Sequence, residues 1–132
     1  MNNKPRLIDW LDRLAAAQVV CVGDVMLDRF VYGEVERISP EAPIPVLRIA
    51  REAVTVGGAG NVARNLSALG TETRLFGVVG DDPAGREAAE VLSFENAVAL
   101  SLTADGGRPT TVKTRFIAGG QQMLRTDEED LT

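Results

Sequence analysis

Residues 56–70 read VGGAGNVARNLSALG, a cluster of glycines that leads directly into a helical pattern. Gly57, Gly58 and Gly60 leave the backbone open to close approach by a ligand. The helix that follows offers free N–H groups, the positive end of its dipole and the amide side chain of Asn61. The stretch therefore predicts a site for a polar, oxygen-rich or anionic ligand. The alternative is a tight strand-to-helix turn in which the glycines serve packing alone.

The helix after these glycines has a predicted apolar stripe. From residue 61 onward, Val62, Leu66 and Leu69 recur at helical spacing, which predicts that they share one face. The other face is expected to carry Asn61, Arg64, Asn65 and Ala68. Gly70 follows at the position where a left-handed residue ends a helix.

The composition of the 132-residue chain is that of one ordinary globular domain. No apolar run reaches the roughly 18 residues of a membrane span, and no secretory signal is visible, so a cytoplasmic protein is expected. The net charge of −5 and the lack of a basic stripe predict no nucleic-acid or membrane partner. There is no histidine, and the single cysteine, Cys21, is interpreted as a small buried hydrophobe. No metal site is predicted, and proton transfer would fall to carboxylates.

Apolar strands alternate with helices along most of the chain, which predicts an α/β fold with a Rossmann-type central sheet. Strands are expected at residues 19–23, 74–79 and 98–102, and helices at residues 5–17, 61–69 and 83–93. Asp82 is predicted to cap the last helix, with Pro83 in its first position. Ligands of such sheets bind at the carboxyl ends of strands, where we expect Gly23-Asp24, Gly57-Gly58 and Gly80-Asp81.

Two segments do not fit this alternation and predict a smaller sheet that forms a lid or an interface. Residues 30–51 are interpreted as short strands bounded by prolines. Residues 111–125 are interpreted as a hairpin around Gly119-Gly120. The acidic run at residues 127–130 is interpreted as a solvated terminus or helix start.

Two nucleotide-binding fingerprints can be compared with the glycine cluster. A P-loop requires Gly-Lys-Ser/Thr, but Gly60 is followed by Asn61, so that interpretation fails. The spacing Gly58-x-Gly60-x-x-Ala63 matches a dinucleotide-binding motif, although the motif should follow the first strand of the sheet directly. A dinucleotide-binding fragment of an oxidoreductase therefore stays a minor alternative.

Charged side chains near the predicted strand ends are candidate ligands. Asp28 is the preferred carboxylate for binding the hydroxyls of a sugar, whereas Asp24 could equally cap a turn. Lys113 and Arg115 stand two residues apart on a predicted strand and share one face. With Arg125 opposite, they could clamp a dianionic phosphate, or they could be solvated surface charges.

These residues together resemble the ribokinase-like (PfkB) sugar kinases, whose N-terminal signature matches the glycine–asparagine element. Residues 23–33 (GDVMLDRFVYG), 37–46 (RISPEAPIPV) and 108–115 (RPTTVKTR) resemble, more narrowly, the heptose 7-phosphate kinases of bacterial lipopolysaccharide core synthesis. The resemblance extends from Val19 to about Glu129. It implies a ribokinase-like fold of which this chain is the N-terminal half, with the small sheet as lid and as a homodimer contact.

The resemblance also implies a reaction and a set of site residues. The reaction is transfer of the γ-phosphoryl group of ATP, with Mg²⁺, to C1 of a heptose 7-phosphate. Sugar hydroxyls would be held by Asp28, Gly57, Gly58 and Asn61. Lys113 and Arg115 would stand near the phosphate of the substrate.

The catalytic aspartate and the nucleotide-binding half of the family have no counterpart before Thr132. This chain is therefore expected to be a substrate half-site without catalytic activity of its own. The rival hypothesis is a free-standing module that binds a sugar or an effector and performs no chemistry.

Overall fold

The computed structural model describes residues 7–94 and 98–130, which form three helices and two β-sheets. In chain order the elements are α1 (Leu7–Ala15), β1 (Gln18–Val22), β2 (Val25–Ile38), β3 (Pro45–Gly58), α2 (Ala59–Ala68), β4 (Glu72–Gly80), α3 (Pro83–Ser93), β5 (Val98–Asp105), β6 (Val112–Ala118) and β7 (Gln121–Glu128).

The first sheet has three parallel strands in the order β1-β4-β5. Inward residues of β4, such as Thr73 and Leu75, are buried, whereas Phe76 on the opposite face is exposed. Val20 and Val22 of β1 are exposed as well. The predicted α/β sheet is confirmed, but the described chain buries only one of its faces, which is unusual for parallel strands.

The second sheet has four strands in the order β3-β2-β6-β7, with β2 and β6 parallel and the other pairs antiparallel. The two segments predicted to leave the alternation therefore do join in one sheet. The prediction of short strands was wrong, because β2 and β3 are 14 residues each. Pro40 and Pro43 lie in the connection and Pro45 begins β3, so no proline interrupts the hydrogen-bonded ladder.

The core lies where both sheets meet α2 and α3. Its fully buried side chains include Leu27 of β2, Val56 of β3, Leu75 of β4 and Leu92 of α3. Arg29 of β2 forms an ion pair with Glu87 of α3.

The apolar stripe predicted for α2 is not the face that the helix buries. Val62 is 52% exposed and Leu69 is 46% exposed, whereas Gly60 and Ala63 are buried. A Cβ at Gly60 would lie 3.0 Å from the Cβ of Val56, so the helix approaches β3 through its smallest residues. Close approach through small residues thus decides which face is buried, although the larger side chains have helical spacing.

The turn predictions are confirmed. Gly70 has φ +83° and follows α2, and Gly119 and Gly120 have φ +57° and +79° between β6 and β7. Asp82 caps α3 by accepting a hydrogen bond from the Gly85 N–H at 2.7 Å.

Helix α1 is present but ends at Ala15, two residues before the predicted end, and none of its residues is buried within the described chain. Residues 5 and 6 of the predicted helix lie outside the described residues.

Candidate functional site

The start of α2 is held by the chain segment that follows β1. The Ala59 N–H donates to the Asp24 carbonyl oxygen at 2.9 Å. Gly58 has φ +57°, and a Cβ there would overlap the same carbonyl oxygen. The sequence offered a cap by the Asp24 carboxylate as an alternative. Asp24 does make such a contact, but through its backbone carbonyl oxygen and not through its carboxylate. The carboxylate is exposed and accepts no hydrogen bond within residues 7–94 and 98–130.

Asp28 lies in the middle of the four-stranded sheet, opposite Thr55 of β3 and Lys113 of β6. Its side chain is only 18% exposed and accepts a hydrogen bond from Arg115 Nη1 at 2.5 Å. A Cβ at Gly57 would lie 2.6 Å from Asp28 Oδ2. Gly57 is therefore glycine because the carboxylate occupies the space beside its backbone, which brings two predicted site residues into contact.

Asn61 is the third residue of α2 and is exposed. Its carbonyl oxygen accepts a hydrogen bond from the side chain of Asn65 at 2.8 Å. One turn further along, Arg64 donates to the hydroxyl of Thr55. The predicted hydroxyl-binding residues thus come from β2, the end of β3 and the first turn of α2, and the close approach among them is that of Asp28 to Gly57.

Lys113 and Arg115 lie on the same face of β6 as predicted, and both have carboxylate partners. Lys113 Nζ lies 2.9 Å from Glu129 Oε2 and 3.2 Å from Asp127 Oδ2. The hydrogen bonds that Lys113 donates to Glu129, the larger cause, and to Asp127 raise the pKa of Lys113 above its ordinary value. The guanidinium of Arg115 bonds Asp28 and lies 5.3 Å from the ring centroid of Phe30.

The acidic run is more than a solvated terminus. Asp127 belongs to β7 and bonds both Lys113 and Arg125, the latter at 2.9 Å. Burial raises the pKa of Asp127, but the hydrogen bond from Lys113 and the charge of Arg125 outweigh burial, so the net pKa is lowered. The prediction that these carboxylates are merely solvated was therefore wrong for Asp127 and Glu129.

The connection from β5 to β6 is fixed to the start of α3 by a hydrogen-bonded cluster. The backbone N–H of Thr110 donates to Asp82 Oδ2 at 2.7 Å, and its hydroxyl donates to Asp82 Oδ1 at 2.8 Å. The same hydroxyl accepts from the Gly80 N–H at 2.7 Å. The hydrogen bonds that Asp82 accepts, first of all that from the Thr110 backbone N–H, hold the pKa of Asp82 below its ordinary value.

Two clefts open on either side of Asp24. One, of about 360 Å³, lies over the parallel strands on the exposed face of their sheet, where Val22, Phe76, Val78, Ser101 and Thr103 line it. The other, of about 380 Å³, lies against β6 and includes Lys113 in its wall. Arg108 lines both clefts, and the sequence analysis did not select it as a site residue.

The described residues contain no cluster of three or more histidine, cysteine, aspartate or glutamate side chains suited to a metal ion. No helix among them is long and apolar enough to cross a membrane. The glycine cluster covers the end of β3, a strand of the mixed four-stranded sheet, and the start of α2. The dinucleotide motif requires the first strand of a parallel sheet at that place, so the alternative of a dinucleotide-binding fragment lacks its structural context.

Comparison with known proteins identifies the relatives of this chain. Residues 16–131 match the family model described as pfkB family carbohydrate kinase. The chain is 56% identical over 126 residues to the bifunctional protein HldE of Hyphomonas neptunium, covering 96% of this chain and 26% of that protein. It is 52% identical over 118 residues to the D-beta-D-heptose 7-phosphate kinase of Bordetella bronchiseptica, covering 89% of this chain and 37% of that one.

A solved structure shows the same fold. The carbohydrate kinase from Agrobacterium tumefaciens superposes with a TM-score of 0.69 at 25% identity, covering 85% of this chain and 35% of that one. The predicted ribokinase-like fold is therefore confirmed. The chain spans between about a quarter and two fifths of the length of these relatives.

Proposed function

Because the chain belongs to the pfkB family of carbohydrate kinases, we propose that it forms the sugar-binding N-terminal part of an ATP-dependent sugar kinase. The proposed substrate is a heptose 7-phosphate, phosphorylated at C1. The names of the relatives support this substrate, since one is a D-beta-D-heptose 7-phosphate kinase. The family supports ATP as the phosphoryl donor.

The observation that carries the proposal is the fit between Asp28 and Gly57 beside the first turn of α2. An ionised carboxylate accepts short hydrogen bonds from vicinal hydroxyls. The backbone of Gly57 and Gly58 and the amide of Asn61 offer further polar groups around the same point. Arg115 keeps Asp28 oriented, and we assign these residues to the sugar hydroxyls.

Lys113 and Arg115 are assigned to the end of the site that faces the substrate phosphate. Their carboxylate partners orient both cations and reduce the net charge that they present. Lys113 and Arg115 would then contribute hydrogen-bond donors at fixed positions to the binding of the phosphate.

We assign the four-stranded sheet to the role of lid and of homodimer contact in a cytoplasmic enzyme. ATP, Mg²⁺ and the catalytic aspartate are assigned to the portion of the relatives that extends beyond this chain, since the described residues hold no group of three metal-binding side chains. Phosphoryl transfer depends on positioning both substrates and stabilising charge on the phosphates, so this chain alone would not catalyse it.

The test compares the 132-residue chain with a polypeptide extended to the length of the relatives. The extended protein should convert ATP and heptose 7-phosphate to ADP and a heptose bisphosphate, with the new phosphate located at C1 by phosphorus NMR. The chain alone should form no product above a heat-denatured control. Turnover by the chain alone would refute the proposal that it is only a substrate half-site. An extended protein that is inactive on heptose 7-phosphate would refute the proposed substrate.

A further inference from the structure

Arg108 is a half-buried cation at the point where two clefts meet. Its side chain makes no hydrogen bond or ion pair with any residue in 7–94 or 98–130. We propose that Arg108 binds the phosphate group carried by the sugar substrate and selects for phosphorylated over unphosphorylated sugars. This inference rests on the proposed sugar-kinase function and adds a specificity-determining residue to it.

The backbone around Arg108 is fixed on both sides. Before it, the Gly107 N–H donates to Asp105 Oδ1 at 2.8 Å. After it, Thr110 is held by Asp82 and Gly80. A Cβ at Gly80 would lie 2.7 Å from the Arg108 carbonyl oxygen, so the connection packs directly on the end of β4. The guanidinium therefore extends from a well-ordered support, as a binding residue requires.

The charges of the neighbouring cations favour Arg108 as the phosphate ligand. Lys113 has two carboxylate partners and Arg115 has one, so both are largely compensated within the chain. Arg108 has no carboxylate partner among residues 7–94 and 98–130. A phosphate dianion would supply the missing partner and could accept two parallel hydrogen bonds from the guanidinium.

The two clefts differ in the groups that would surround a phosphate. Asp24 lines both clefts, and the cleft against β6 adds Glu129 and Asp130, whose negative charges oppose an anion. The cleft over the parallel strands instead contains the hydroxyls of Ser101 and Thr103, which can donate to phosphate oxygens. Because Arg108 lines both clefts, we place the phosphate at its guanidinium, between Ser101 and Thr103 in one cleft and Lys113 in the other, with the neutral part of the sugar towards Asp28.

The test uses the extended polypeptide as wild type and as Arg108→Gln, Arg108→Lys and Arg86→Gln variants. Arg86 is an exposed arginine on α3 with one weak partner at 3.6 Å and serves as the matched control. The first readout is the ratio of kcat/KM for a phosphorylated sugar to that for the same sugar without phosphate. The second is the dissociation constant of orthophosphate, measured by calorimetry without ATP.

Arg108→Gln should lower the ratio about tenfold or more and weaken orthophosphate binding by a similar factor, since it removes a charge-assisted contact. Arg108→Lys should recover part of both losses, and Arg86→Gln should match the wild type. A ratio and a dissociation constant unchanged in Arg108→Gln would overturn the assignment of Arg108. Wild-type protein that binds orthophosphate through Arg108 but phosphorylates no sugar would instead overturn the proposed function and leave Arg108 as an anion site.

Discussion

Gly57→Ala tests whether the carboxylate of Asp28 is what requires glycine at position 57. The new Cβ would lie 2.6 Å from Asp28 Oδ2 and 2.8 Å from Met26 Cγ. Ordinary van der Waals contact begins near 3.4 Å, so Oδ2 must move by about 0.8 Å away from its place beside Arg115. Crowding of this kind in a packed interior costs about 1–3 kcal/mol.

The assay is the free energy of unfolding in urea for Gly57→Ala and for a matched control, Gly106→Ala. Gly106 has no atom within 4 Å of an added Cβ, so its substitution should change stability by less than about 1 kcal/mol. A double-mutant cycle with Asp28→Ala then isolates the contact. In the Asp28→Ala background, Gly57→Ala should lose most of its cost, leaving the smaller clash with Met26.

The refuting result is a cost of Gly57→Ala that is the same in both backgrounds. The need for glycine at position 57 would then come from Met26 or from the backbone conformation. The proximity of Gly57 to Asp28 would no longer support the proposed sugar site. If Gly57→Ala lowered the free energy of unfolding by less than Gly106→Ala does, the close packing around Gly57 would itself be refuted.

Three further predictions follow from single contacts. Asp82→Asn should destabilise the fold near neutral pH. Because the folded pKa of Asp82 is lowered, its contribution is complete above the ordinary value of 3.8 and is lost as pH falls through the folded value, so wild type and variant should converge in acid unfolding curves. In the extended enzyme, Asp28→Asn should cost about 1.5–3 kcal/mol in kcat/KM and Asp24→Asn less; equal losses would remove the distinction between them. Gly120→Ala should cost about 1 kcal/mol of unfolding free energy, because alanine resists φ +79°; an unchanged stability would show that the turn adapts.

Features that depend on neighbouring residues in the chain could be predicted from the sequence. Asp82 followed by Pro83 gave the start of α3, and the glycine pair at 119–120 gave the hairpin. Gly70 marked the end of α2. In each case the signal is a local backbone preference that tertiary contacts do not override.

Features that depend on distant contacts could not be predicted. The buried face of α2 is set by how closely Gly60 and Ala63 let the helix approach β3, which helical spacing alone does not reveal. The bond between Asp28 and Arg115 joins residues 87 positions apart, through the parallel pairing of β2 and β6. Without that register, Arg115 is indistinguishable from a solvated strand charge, and Arg108 is merely an arginine in a turn.

The connections between the two sheets determine which part of the four-stranded sheet can move. The first connection is the hydrogen bond from the Ala59 N–H, at the start of α2, to the carbonyl oxygen of Asp24, which follows β1. At the other, the contacts of Thr110 with Asp82 and Gly80 fix the start of β6 to β4 and α3.

Between these two connections the sheet is held on both sides of β2, and its pairing with β6 covers residues 27–33. Beyond residue 33, β2 pairs only with β3, and its residues 34–38 are exposed. Closure over a bound sugar would therefore bend the outer part of the β2–β3 hairpin, while Asp28, Gly57 and Arg115 stay in place. The residues that we assign to the sugar would thus be preorganised, and the entropic cost of ordering on binding would fall on the outer hairpin.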